Sequence, residues 1–349
     1  MTRTATSSWA ASRGAGEVDR SPEATDSPNI AAMNAPSILA LTGGIGGAKL
    51  ALGLQGALEP GRLTVVVNTG DDVEHLGLCI SPDVDTTLYT LSGLANADVG
   101  WGRAAESWNV MTELARFGGA VWFRLGDKDL ALHLERSRRL AAGEALASVV
   151  DDFARRLGIP SRIVPMSSDR VRTVLETDQG TLGFQEYFVR RRCEPVVRSI
   201  RYEGAAHAQP GGETARALAE GAFAAVVICP SNPYLSIDPM LAMPGWRAAL
   251  RARRVPVIAV SPLIGGEAVK GPTAKIMREL GVEVSPLAIA RHYAPLIDGF
   301  VLDEVDAALA PTFDVPVRVA QTLMRTLEDK ERLARETVEF AGMLRRTET

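Results

Sequence analysis

Residues 43–49, Gly-Gly-Ile-Gly-Gly-Ala-Lys, hold the ingredients of an anion site. Four glycines let a ligand approach the backbone, because no Cβ stands in the way. If a helix begins here, its free N–H groups and its dipole favour a phosphate. Lys49 adds a mobile charge. Further on, Asp71-Asp72 and Asp83-Val84-Asp85 bring four carboxylates close together in the chain. Hard oxygen ligands beside a phosphate loop suit Mg²⁺, which takes a few carboxylates and bridges to substrate phosphates. At least one of the four is expected to ligate a metal. Glycines, lysine and carboxylates together read as a nucleotide or diphosphate site.

Two familiar phosphate motifs do not fit. A P-loop needs Ser or Thr after its lysine, and Leu50 stands there. The dinucleotide fingerprint fails at its third glycine, which is Lys49. A pair of acids, Asp71-Asp72, closes the second strand where one ribose-binding acid would stand. These departures argue against an ATPase and an NAD dehydrogenase. Ser231-Asn232-Pro233 follows another apolar run and reads either as a turn or as a reader of a base edge or phosphate. Asp127 and Asp129 are open between surface and site roles. His75 and His133 read as packing residues, and the scattered Cys79, Cys193 and Cys229 as small buried hydrophobes.

The elements that must position these residues follow from pattern. An apolar run over 37–42, the glycines and an amphipathic run up to Pro60-Gly61 read as strand, turn and helix. The apolar run 63–67 is a second strand. Thr86–Leu94 starts a helix for which Asp85 is a plausible N-cap. Further helices are expected over 106–117 and 144–157, and a strand-like run at 121–125. Runs at 162–166, 171–177 and 181–190 alternate β-branched and polar residues and suggest a β-rich insertion. Arg190, Arg191, Arg192, Arg198 and Arg201 make it locally basic. From residue 213 helices alternate with strands at 225–229, 255–260 and 299–302, and 316–340 reads as one long charged helix. Nearly continuous apolar strands between helices predict a parallel sheet buried on both faces, an α/β fold.

Bulk numbers set bounds. The chain has 349 residues, 46% hydrophobic and 23% charged, with net charge −4. That is core enough for one large or two modest domains and gives no reason to expect nucleic acid. No apolar run nears the ~20 residues of a membrane helix. Three unpatterned cysteines fit a reducing cytoplasm. Residues 1–34 lack apolar periodicity and read as a disordered extension or a misassigned start codon.

In this order, the motifs resemble the 2-phospho-L-lactate transferase family of coenzyme F420 biosynthesis, and fit its bacterial, enolpyruvyl-using members at least as well as the archaeal ones. They are residues 41–49, 67–72 and 82–86, then Gly100-Trp101-Gly102, the run 125–131 around Gly126-Asp127-Lys128-Asp129, Phe184-Gln185-Glu186-Tyr187, residues 230–233 and residues 261–266. The resemblance spans about residues 37–330. It implies a Rossmann-like, doubly wound fold with a smaller inserted α+β subdomain: an N-terminal half over 35–160, an insert over 161–212 and a second half over 213–349. It implies a homodimer and transfer of a phosphorylated three-carbon acid from a guanosine diphosphate-linked donor to the ribityl hydroxyl of the deazaflavin Fo, with release of GMP and a need for Mg²⁺.

Carried onto this chain, the resemblance puts Asp71 and Asp72 on the metal and Asp83 and Asp85 at the ribityl hydroxyl as catalytic residues. Arg124 and Lys128 would hold the deazaflavin. Gly43, Gly44, Gly46, Gly47, Lys49, Ser231, Asn232, Gly265 and Gly266 would hold the nucleotide. Lys128 stands where relatives usually carry arginine, and so lacks the planar fork. The rival reading is a group with the same core that binds nucleotide-sugars and regulates without transfer chemistry. The Gly-Asp-Lys-Asp and Phe-Gln-Glu-Tyr elements favour the transferases.

Overall fold

The computed structural model describes residues 37–96 and 100–347. The extension expected over 1–34 lies outside the described residues. In chain order, β1 (Ile38–Thr42) feeds α1 (Gly44–Ala57) and then β2 (Leu63–Val67). A hairpin of β3 (Val73–His75) and β4 (Leu78–Ile80) leads into α2 (Pro82–Leu91). Then come α3 (Asn109–Arg116), α4 (Asp127–Ala141), α5 (Leu146–Arg156) and β5 (Arg162–Pro165). The next strands are β6 (Arg172–Thr177), β7 (Gly180–Gly183) and β8 (Val197–Glu203). Alternation resumes with α6 (Thr214–Ala219), β9 (Ala225–Ile228), α7 (Asp238–Leu241), α8 (Pro244–Ala252) and β10 (Val257–Val260). The small hairpin β11 (Leu263–Ile264) and β12 (Glu267–Ala268) precedes α9 (Thr273–Glu279) and α10 (Pro286–Tyr293). Last come β13 (Gly299–Asp303), β14 (Val317–Ala320) and α11 (Leu327–Thr347).

Seven strands form one sheet in the order β14-β13-β10-β9-β1-β2-β5, and every pairing is parallel. Alternate residues of each strand feed two cores. Leu39, Leu41, Val226 and Ile228 face one side. Ile38, Ala40, Ala225 and Val227 face the other. Burial on both faces explains the near-continuous apolar strands. From β1 the chain winds outward through β2 to β5, then starts again at β9 on the other flank. The strand order therefore reverses between β1 and β9, and a crevice opens beyond their carboxyl ends, where such sheets bind ligands.

Several expectations change, among them the run 181–190, which is strand only to Gly183 and a helical turn over Glu186–Arg190. Residues 121–126 form no strand, because Trp122 packs edge-on against Phe123 and His75, with Phe123 tilted on His75, and so they hold a loop. Residues 317–320 are β14, paired with β13 at the sheet edge, so the long helix starts only at Leu327. The strand at 162–165 is β5 of the main sheet and not part of an insert. The inserted antiparallel sheet is the trio β7-β6-β8. Its Val171, Leu175, Tyr187 and Val197 belong to the same core as Leu39 and Val226, so the insert lacks a separate core. Finally, α2 begins at Pro82, with Ser81 at its N-cap position, so Asp83 and Asp85 occupy its first turn.

Candidate active site

The expected glycine loop is mostly helix. Gly43 is the N-cap residue of α1, and Gly44, Gly46 and Gly47 lie in its first turn. At Gly43, Gly46 and Gly47 the space the missing side chain leaves is filled by protein. A Cβ on Gly43 would stand 2.6 Å from Asp83 Oδ2, one on Gly46 2.4 Å from the Pro230 carbonyl, and one on Gly47 2.4 Å from Ser231 Oγ. The glycines thus bring three segments together at the crevice: the end of β1, the end of β9 and the start of α2. The Gly43 N–H donates to Ser231 Oγ at 3.2 Å. A backbone hydrogen bond from Gly44 supports the Asp83 carboxylate, so the positive end of α1 already faces a negative side chain.

Asn68, at the end of β2, ties these parts together. Its Nδ2 donates to Asp83 Oδ2 at 3.0 Å and to the Leu235 carbonyl at 3.2 Å. Its Oδ1 accepts from the Gly70 N–H at 2.8 Å and shapes the turn that presents Asp71. Asp71 Oδ1 is buried with no hydrogen-bond partner. Burial, then the charge of Asp83, raises the Asp71 pKa well above the carboxylate range. Asp83 is raised as well, chiefly by burial, with Asn68 and Gly44 opposing. Asp72 accepts from Ser81 Oγ at 2.9 Å, and burial pushes its pKa up to about 7. Its Oδ1 also lacks a partner. Asp71 and Asp72 thus each offer one unused hard oxygen. Among the described residues no three His, Cys, Asp or Glu side chains converge as a metal centre.

Asp85 differs from Asp83. Both Arg136 amino groups donate to it, Nη1 to Oδ2 at 3.1 Å, and Arg136 is wholly buried. On the other side of Asp85 lies the His133 ring, with Nδ1 3.6 Å from Oδ2. His133 Nε2 is 3.3 Å from Asp129 Oδ2, and Tyr89 donates its hydroxyl to Asp129 Oδ1. Residues 129, 133 and 136 are spaced i, i+4, i+7 and share one face of α4. That spacing was a readable signal, although His133 reads as mere packing in the sequence.

Asp129 reaches a cavity of about 370 Å³ whose lining includes Trp101, Arg103, Glu106, Trp108 and Arg124. The Arg124 guanidinium lies 4.3 Å over the Trp108 ring. Flat walls and charged edges suit a planar heteroaromatic ligand. Lys128 is directed elsewhere: its Nζ donates to the Ala105 carbonyl at 2.7 Å and secures the loop below the cavity. Asp127 is structural. It accepts from Ser107 Oγ, from the Asn109 side chain and from the N–H groups of Asn109 and Val110 that open α3.

Other expected residues divide. Ser231 stands at the crevice. Asn232 accepts from the Tyr234 and Leu235 N–H groups, while its Nδ2 is buried and unpartnered, an unused donor beside the crevice. Gly265 and Gly266 form the two-residue turn between β11 and β12, with φ of 60° and 73°, which glycine adopts most readily. Asp306 accepts from the Gly265 N–H. Lys49 donates to the Met324 carbonyl at 3.2 Å, and burial, then Lys270 and Lys330, lowers its pKa. Unassigned in the sequence but present here are Asn68, Ser81, Arg136 and Gln185, whose Nε2 donates to the Asp71 carbonyl at 2.9 Å and pins the insert to the site. A larger cleft of about 1090 Å³ adjoins α4, α5 and β5; of the arginines that line it, 138, 139, 155 and 156 are paired with Glu135, Glu144, Asp151 and Asp152.

Comparison with known proteins bears on the fold and the family. The fold is similar to a crystal structure of a UPF0052 family member from Bacillus halodurans, with TM-score 0.57 over 87% of this chain and 99% of that one, at 16% identity. A protein of Streptomyces griseus named phosphoenolpyruvate transferase is 39% identical over 88% of this chain and 99% of its own length. One from Kitasatospora aureofaciens with the same name is 41% identical over 88% and 98%. The 2-phospho-L-lactate transferase of Methanocaldococcus jannaschii is 37% identical over 88% and 99%. The model of the family described as 2-phospho-L-lactate transferase CofD matches residues 38–339, and the chain is a transferase belonging to that family.

Proposed function

We propose that the chain transfers a phosphorylated three-carbon acid, enolpyruvyl or lactyl, from a guanosine diphosphate-linked donor to the ribityl hydroxyl of the deazaflavin Fo. GMP is released, and the step belongs to coenzyme F420 biosynthesis. The observation that carries this reading is the position of Asp83: it abuts Gly43 at the crevice, two residues from Asp85, whose partners lead to the aromatic cavity. A diphosphate in the crevice and a flat acceptor in the cavity would then meet at the start of α2.

In this reading the hydroxyl oxygen bonds to the phosphorus that carries the acid, the bond from that phosphorus to the GMP oxygen breaks, and the hydroxyl proton passes to Asp83. Burial raises the proton affinity of Asp83, which suits a general base. Asn68 and Gly44 keep its carboxylate aimed at the crevice. Asp71 and Asp72 would hold Mg²⁺ through their unused oxygens; with so few protein ligands the donor phosphates and water complete the set. When bound, the ion neutralises diphosphate charge. Asn232 Nδ2 and Ser231 bind the nucleotide side, and Arg124 with Trp108 clamps the acceptor ring.

The test is a transfer assay with Fo, Mg²⁺ and a guanylyltransferase that makes the donor in place from GTP and each acid in turn, read by mass. The expected result is a new deazaflavin product with one acid. No product with any acid refutes the reading.

A further inference from the structure

His133 is 1% exposed, yet neither ring nitrogen has an aligned hydrogen-bond partner. Buried polar groups rarely go unpaired without a reason. Asp85 from α2 and Asp129 from α4 face its two nitrogens, while Arg136 donates to Asp85 and Tyr89 donates to Asp129. Arg136 offsets one of the two carboxylates, and the ring stands between that one and the other. Nδ1 faces Asp85 at 3.6 Å and Nε2 faces Asp129 at 3.3 Å. Asp85 shares the first turn of α2 with Asp83, and Asp129 reaches the aromatic cavity. The Nδ1 contact is longer than a hydrogen bond, and the Nε2 contact is within reach but misaligned.

We propose that His133 is a positioning residue with two separable jobs: through Nε2 it sets Asp129 at the acceptor cavity, and through Nδ1 it sets Asp85 and the start of α2 at the reacting end. The inference rests on the acceptor reading above. An acceptor entering the cavity pulls on Asp129, and the ring passes that displacement to the turn that carries Asp83. The acceptor and the diphosphate are thereby brought into register by one side chain.

Three variants separate the two contacts from the filling of space. His133→Gln puts an amide nitrogen near the place of Nε2 and abandons Nδ1. His133→Asn does the reverse. His133→Phe keeps the ring and loses both nitrogens. The readouts are Tm, the deazaflavin Kd from fluorescence, and kcat for transfer. A hydrogen bond to a charged group is worth about tenfold or more. The expected pattern is about tenfold weaker deazaflavin binding in His133→Asn, about tenfold lower kcat in His133→Gln, and both losses in His133→Phe. Wild-type Kd and kcat in His133→Phe would overturn the proposal, as would parallel losses in all three that track Tm alone. If the ring variants do not fold, Tyr89→Phe removes only the hydroxyl that steadies Asp129 from the opposite side. Weaker deazaflavin binding there supports the proposal, and unchanged binding overturns it. Wild-type protein that binds the deazaflavin but makes no product would sink the transfer reading, while the Kd comparison among variants still decides the role of His133.

Discussion

The two ends of the site are built differently. The crevice end rests on strand termini: Thr42 closes β1, Asn68 follows β2 and Ser231 follows β9, and all three are buried. Hydrogen bonds there join Gly43 to Ser231 and Asn68 to Asp83. The cavity end rests on the loops before α3 and α4, and Trp101 there is 52% exposed. Backbone held by a parallel sheet cannot move without breaking its ladder, so the crevice is preset, as the proposed diphosphate binding requires. Loops tolerate movement, which suits the entry of the proposed acceptor ring. Where chemistry needs fixed geometry the chain uses strand ends, and where it needs entry it uses loops.

Substitutions should break this contrast in order of size. The largest effect is expected at Asp83. Asp83→Asn keeps the shape and the Asn68 contact but removes the base, and transfer should fall about 10²–10⁴-fold in kcat with Tm little changed; a rate within threefold of wild type, by the same mass assay, takes the base role away from Asp83. Next is Asp85→Ala, which strands the fully buried Arg136. Urea denaturation should show a loss of about 3–5 kcal/mol, recovered in part by adding Arg136→Met. A neutral result would mean that Arg136 finds other partners.

The pH dependence of stability tests the burial of the crevice. The Asp72 pKa is raised, from 3.8 to about 7, so the folded state holds a proton that the unfolded chain releases. The contribution of Asp72 is therefore fully present below pH 3.8, is lost as pH rises towards about 7, and is level above that. Unfolding measured across this window should show the decline in wild type and a flatter profile in Asp72→Asn; the same slope in both would place its cause elsewhere. The smallest effect is expected at the cavity. Trp108→Ala removes one stacked wall, worth about 0.5–1.5 kcal/mol, and should weaken deazaflavin binding several-fold with kcat retained. Unchanged fluorescence titration would move the acceptor out of this cavity.

Much was legible along the chain because it depends on local pattern. Apolar strands alternating with helices dictated a parallel α/β sheet, since only two covered faces can bury such runs. Glycines and aspartates marked the neighbourhood of the candidate site. The ordered motifs identified the family. Spacing alone, however, could not tell a ligand-facing glycine from one that makes room for protein, because both need a missing Cβ. Gly46 and Gly47 proved to be of the second kind, pressed on Pro230 and Ser231 nearly two hundred residues away. Likewise Asp83 and Asp85 are two residues apart and look equivalent in sequence. Only tertiary structure separates them, by giving Asp85 a buried guanidinium from α4 and Asp83 the amide of Asn68 and the end of α1. A carboxylate's chemistry depends on the charges and donors within a few ångströms of it. The chain folds those in from distant segments, so residue type is decided by sequence and its role by packing.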